Sequence, residues 1–177
     1  MLCSLQKRYS VTRRLHHRYS DKQVYGTIMR GRKGTIPMAD QKEAQRTFAA
    51  RWFEEVWNKS KREAIDEMFP EEAVLHDGSA EYRGPADFKR FYDALRGQMS
   101  DVRVTPLETI SEGDMVCTRW SSTAIHSSTG KPLQVTGISI LRFEDGRLVE
   151  AWQNWDQYGM MQQLENATPK SFFQTAG

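Results

Sequence analysis

The feature that most constrains the fold is a change of hydrophobic period near Ser100. Before it, Ala44, Phe48, Trp52 and Val56 recur every four residues, with Phe53 and Trp57 beside them. That spacing lays one wide apolar face along a helix of about five turns. After Ser100 the period drops to two in "DVRVTPLETI", "DMVCTRWSSTAIHSS", "LQVTGISILRF" and "RLVEAWQNWD". Half-buried strands alternate in this way. Between the last two lies Asp145-Gly146, a strong hairpin signal because both residues tolerate the positive φ of a type I′ turn.

Smaller signals fill in the order. Asp40 with Glu43, and Ser60 with Glu63, have the spacing of helix-start capping pairs. Ala64, Ile65, Met68 and Phe69 form a short apolar helix stopped by Pro70. "AVLHD" reads as a brief strand, and Gly84-Pro85 opens a third helix whose stripe is Phe88, Phe91, Tyr92 and Leu95. "QYGMMQQLEN" is a closing helix that could pack Met161 and Leu164. The predicted class is α+β: one curved antiparallel sheet with helices covering one face.

Charge divides the chain. Residues 1–37 hold nine Lys or Arg against one acid, Asp21, whereas the whole chain has 25 bases and 23 acids, so the body is net acidic. The expected organisation is a basic extension, 1–37, and a folded domain, 38–177. The extension reads as a disordered segment, a stretch upstream of a true start at Met38, an organelle-targeting presequence or a binding arm. Localisation is accordingly expected to be cytoplasmic, or mitochondrial if 1–37 is a genuine presequence. The body shows no basic stripe interleaved with aromatics and no apolar run of spanning length, which argues against nucleic acid and membrane as partners. Cys3 and Cys117 lie far apart and suggest no disulfide framework. His16 and His17 fall in the extension, and no other histidines or cysteines have ligand spacing, so no metal is expected.

A two-residue turn at Asp145-Gly146 sets a register that can be counted back. It opposes Phe143 to Leu148, Leu141 to Glu150, Ser139 to Trp152, Gly137 to Asn154 and Val135 to Asp156. A two- or four-residue loop near Thr129-Gly130 adds Val116, Thr118, Trp120, Ser122 and Ala124 to the same face. This face grades from apolar, through walls of Trp120 and Trp152, past the small Ser122 and Gly137, to Asn154, Asp156 and His126. Such a concave surface suits a small-molecule pocket. The opposite face, with Ile138, Ile140 and Trp155, is left for solvent or a subunit contact.

The segments "FEEVWNKSKREAIDEMFPEEAVLHD", "RGPADFKRFYDALR", "STAIHSSTGKPLQVTGISILRFEDGRLVEAW" and "NWDQYGMMQQL" resemble the SnoaL-like polyketide and ester cyclases of the NTF2-like superfamily. The resemblance implies a cone, a curved sheet around a pocket plugged by three helices from its N-terminal side. It also implies that Asp156, in "NWDQ", is an acid/base for intramolecular aldol ring closure or a related isomerisation, working without metal or organic cofactor. The expected substrate is a small hydrophobic carbonyl compound.

In that scheme Asn154 and His126 hold substrate oxygens, and His76, Trp57, Tyr92, Trp120, Ser122 and Trp152 line the pocket. Each residue has a plainer role open to it. Asp156 can cap the closing helix. His126 can be an ordinary strand end and His76 a satisfied core histidine. Trp57, Trp120 and Trp152 can be core, with Tyr92 core-facing and its hydroxyl free to aim inward. Alternation sends His76 and Asp77 to opposite faces, so one of the two points inward at most. The alternative function is a non-catalytic small-molecule-binding module, or a homodimer built on the open sheet face.

Overall fold

The computed structural model describes residues 38–165; the basic extension 1–37 lies outside them. Helix α1 (Met38–Arg51) runs directly into a π-helical segment (Trp52–Asn58). There follow α2 (Ala64–Met68), β1 (Val74–Asp77), β2 (Ala80–Arg83) and α3 (Gly84–Gln98). The chain then runs through β3 (Met99–Glu112), β4 (Met115–His126), β5 (Pro132–Glu144), β6 (Arg147–Trp155) and α4 (Gln157–Glu165). The six strands form one sheet in the order β2-β1-β6-β5-β4-β3. Only β1 and β6 pair in parallel; the remaining pairs are antiparallel. The expected α+β class and meander hold, while β2, a four-residue strand against β1, was not foreseen.

One long apolar stripe explains the first helical unit. Phe48, Phe53, Val56 and Trp57 are all buried. The π segment ends where Asn58 docks on β3: its Nδ2 donates to the Val104 carbonyl at 3.0 Å and its Oδ1 accepts from the Val104 N–H at 2.7 Å. A side-chain amide thus acts as a strand partner and ties the helix to the sheet. Gly84 starts α3 at φ +67, with Pro85 in its first turn.

The core lies between the helices and one face of the sheet. Val116, Thr118, Trp120, Ser122 and Ala124 of β4 all point into it, as the alternation predicted. Their rungs are offset from the expected ones: Val116 faces Leu141 and Trp120 faces Gly137. The loop before β5 is long enough for His126 N–H to reach the Lys131 carbonyl. An offset of two keeps the same face.

Candidate functional site

The hairpin after β5 begins as expected, with Glu144 opposite Arg147 and Phe143 opposite Leu148. Its register then shifts between Arg142 and Phe143, so that Arg142 faces Glu150, Leu141 faces Ala151 and Ser139 faces Gln153. One extra residue in β6, a bulge at Val149, moves every later side chain to the opposite face. The cause is visible at Glu150. On the outer face its carboxylate accepts from Arg142 at 2.9 Å and meets His76 Nε2 at 3.0 Å. Arg142 first, and His76 second, hold Glu150 below its usual value. Inward it would have been an unpaired charge.

This bulge corrects the expected placement of the site. Trp152 turns outward and stacks on His76, ring centroids 5.6 Å apart. Asn154 is exposed, opposite Ile138. Asp156 lies past the end of β6 and is exposed; its Oδ1 accepts from the Gly159 N–H at 2.7 Å, capping α4. The helix-cap role open to Asp156 is the one its geometry has. Asp156→Ala therefore removes a cap, and thermal melts should record a loss of about 1 kcal/mol.

The remaining expected residues divide. His126 ends β4 half-buried, its Nδ1 within 2.8 Å of Thr129 Oγ1 in the following turn. Trp57 is buried in the core against Tyr92, centroids 5.3 Å apart. The Tyr92 hydroxyl donates to the Val56 carbonyl at 3.2 Å rather than into a pocket. Ser122 is buried on the inner face. Trp120 is 7 % exposed, and its indole occupies the space above Gly137, where an added Cβ would come within 2.7 Å of the ring. The room expected opposite Gly137 is therefore filled by protein.

The bulge brings other groups inward. Gln153 and Trp155 replace Trp152 and Asn154 on the inner face, and β1 presents Asp77 beside Gln153. Asp77 is only 9 % exposed, and its Oδ1 has no hydrogen-bond partner. Burial raises its carboxyl above the usual carboxylate value, against a smaller opposite pull from the Trp155 indole. The Trp155 Nε1–H is itself buried without an aligned acceptor. The Asp77 carboxyl and the Trp155 indole N–H thus stand together, poorly aligned with one another, and Asp77 ends an inner-face rung that continues through Gln153, Ser139, Thr118 and Thr109. A carboxyl whose value is raised by desolvation holds and releases a proton more readily than an ordinary one, and an indole N–H beside it can turn to an oxygen. Sequence reasoning had the signal: Leu75 is core, so Asp77, two residues on, shares its face.

A curved six-stranded sheet with helices packed on one face, and a buried acid on that same face, is an α+β architecture of the NTF2-like kind. Residues 49–151 match the SnoaL-like domain, and the chain belongs to that family. Solved structures that share 26 % identity with it include two candidate polyketide cyclases. IdmH of Streptomyces antibioticus, described as a candidate polyketide cyclase, has a TM-score of 0.61 over 68 % of this chain and 97 % of its own. A candidate polyketide cyclase from Acidithiobacillus ferrooxidans has a TM-score of 0.63 over 75 % and 100 %. A Catenulispora acidiphila protein of ketosteroid isomerase-like fold, solved with trimethylamine, shares the fold at 16 % identity and TM-score 0.61, over 69 % and 97 %. No match to the chain was found among curated proteins.

Proposed function

We propose that the protein is a proton-transfer catalyst of the polyketide-cyclase type, acting on a small hydrophobic carbonyl compound, with Asp77 rather than Asp156 as its acid/base. The single observation that carries this reading is the Asp77 carboxyl: buried, raised by desolvation and without a partner for one oxygen. A native fold retains an unsatisfied buried carboxyl at a cost, which a ligand or a chemical task can offset. As carboxylate, Asp77 takes a proton α to a carbonyl. The resulting enolate carbon attacks a second carbonyl of the same molecule, a carbon–carbon bond forms, and Asp77 returns the proton to the new alkoxide. Double-bond isomerisation uses the same two transfers without the bond-forming step. The Trp155 N–H is the nearby donor for the oxygen that becomes negative. The test is Asp77→Asn assayed for turnover and, separately, for ligand binding. Binding kept with turnover lost supports catalysis; turnover unchanged rejects it.

The outer sheet face supports a second proposal, a homodimer. Ile110 (68 % exposed), Cys117, Ile140 and Trp152 form an apolar rung across four strands. It is flanked on one side by the Glu108–Arg119 pair and on the other by Arg142–Glu150. Each flank carries both signs, so two copies related by a two-fold axis oppose no net like charge. Light scattering should give twice the chain mass for the wild type and one chain mass for Ile110→Asp with Ile138→Asp, circular dichroism being unchanged.

A further inference from the structure

Between sheet and helices lies a cavity of about 20 Å³. Its sheet wall is largely apolar, with Leu75, Leu141, Leu148 and Ala151, and is crossed by one polar rung, Thr118, Ser139 and Gln153. The helix wall presents Trp52, Phe69 and Phe88. Hydroxyls and amides in a core cost free energy unless their bonding capacity is used. Here it is only partly used. Thr118 is 3 % exposed and reaches Thr109 at 3.3 Å. Ser139 Oγ accepts the Trp120 indole N–H at 2.9 Å, which leaves its own proton to donate. The Gln153 side chain makes no hydrogen bond to the described residues. Three polar groups with spare capacity therefore face three aromatic rings across a gap that holds about one water.

The aromatic wall has one member that reaches solvent. Phe69 and Phe88 are almost fully buried and stacked, 5.2 Å apart at 26°. Trp52 lies 5.1 Å from Phe88 and 6.3 Å from Phe69, yet it is half-exposed, so it runs from the cavity to solvent. It is also the first residue of the π segment, the point at which α1 changes its ladder. Such segments are rare and concentrate at functional sites.

We propose that this chamber binds one planar six-membered ring bearing a hydroxyl or carbonyl oxygen, that the oxygen is held by Thr118, Ser139 and Gln153, and that Trp52 swings out to admit it. The closed cavity is far too small for a ring; the space comes from the indole that leaves. This deepens and rests on the proton-transfer reading, since Asp77 stands one strand beyond Gln153 on the same rung, about 4.8 Å further across the sheet.

The experiment uses the full-length protein and two probes of one shape, p-cresol and toluene, titrated by NMR. Trp52→Ala should bind p-cresol at least tenfold more tightly than wild type, with Trp52→Phe between them; the latter also serves if the alanine variant does not fold. Each Trp52 variant should prefer p-cresol over toluene by about tenfold, the worth of a buried hydrogen bond near its upper range. Adding Thr118→Val and Ser139→Ala should erase that preference. Equal affinity for the two probes, or a preference that survives the hydroxyl deletions, overturns the proposal. Asp77→Asn separates the two readings. Turnover retained in Asp77→Asn, with cresol selectivity intact, sinks only the proton transfer; selectivity absent, with turnover dependent on Asp77, sinks only the chamber.

Discussion

Replacing Asp77 with asparagine is expected to lower turnover by about 10²–10⁴-fold, the usual contribution of a positioned acid/base, and at the same time to raise the melting temperature at neutral pH. The two effects have one cause. Burial lifts the folded-state carboxyl above its ordinary value, so the native state holds that proton more tightly than the unfolded chain does. In acid, below the ordinary value, both states are protonated and asparagine has little advantage. As pH rises through the raised folded value, the wild type must bury a charge and loses stability that asparagine keeps. The melting-temperature difference between variant and wild type should therefore be small near pH 4, grow with pH and then level off. Each kcal/mol appears as about 2–4 °C in a chain of this size. Glu150→Gln should behave in the opposite sense. Arg142 and His76 hold Glu150 low, so its contribution is present at neutral pH and is lost as pH falls through that lowered value. A gain in stability on removing a functional group is the expected signature of a site that sacrifices stability for chemistry. If Asp77→Asn melts lower than wild type at pH 7, the carboxyl is a structural hydrogen-bonding group and the catalytic reading loses its support.

The contrast between Asp77 and Asp156 shows what could be read from the sequence. Local and periodic features were legible: the helical stripe from Ala44 to Val56, the Gly84-Pro85 start of α3, the Asp145-Gly146 turn and the inward set of β4. These depend on spacing along a single element or on one turn. The site depended on a register carried across a hairpin, and one inserted residue reverses such a register. The turn was right as far as Leu148; Val149 then inserted the bulge. The signal for it was energetic rather than periodic. Regular alternation put Glu150 among apolar residues with no partner, whereas a bulge gave it Arg142 and His76 and put Ala151 in the core. The size of the hollow was illegible for a different reason. Gly137 reads as free space only if no larger side chain leans over it, and Trp120 does so from the neighbouring strand.

Phe88→Ala should damage the fold more than any other substitution named above, by about 3–5 kcal/mol, the range for deleting a buried phenyl ring. Phe88 is 2 % exposed and stands where the π segment, the end of α2 and α3 meet. Its ring meets Trp52 at 5.1 Å and Trp57 at 6.4 Å from the π segment, Phe69 at 5.2 Å from the end of α2, and Phe91 at 5.7 Å on its own helix. Removing it leaves four aromatic partners facing a void that merges with the existing cavity, and rings of that size cannot collapse inward to fill it. Against a total stability of about 5–15 kcal/mol, the loss should move the guanidinium midpoint well below that of wild type. The slope of the transition decides how the loss arises. An unchanged slope means that the same surface is exposed on unfolding and the native state alone has been weakened. A reduced slope means that α3 is already detached from the sheet in the native state, and the aromatic cluster is then the tie that keeps the cone closed over Asp77.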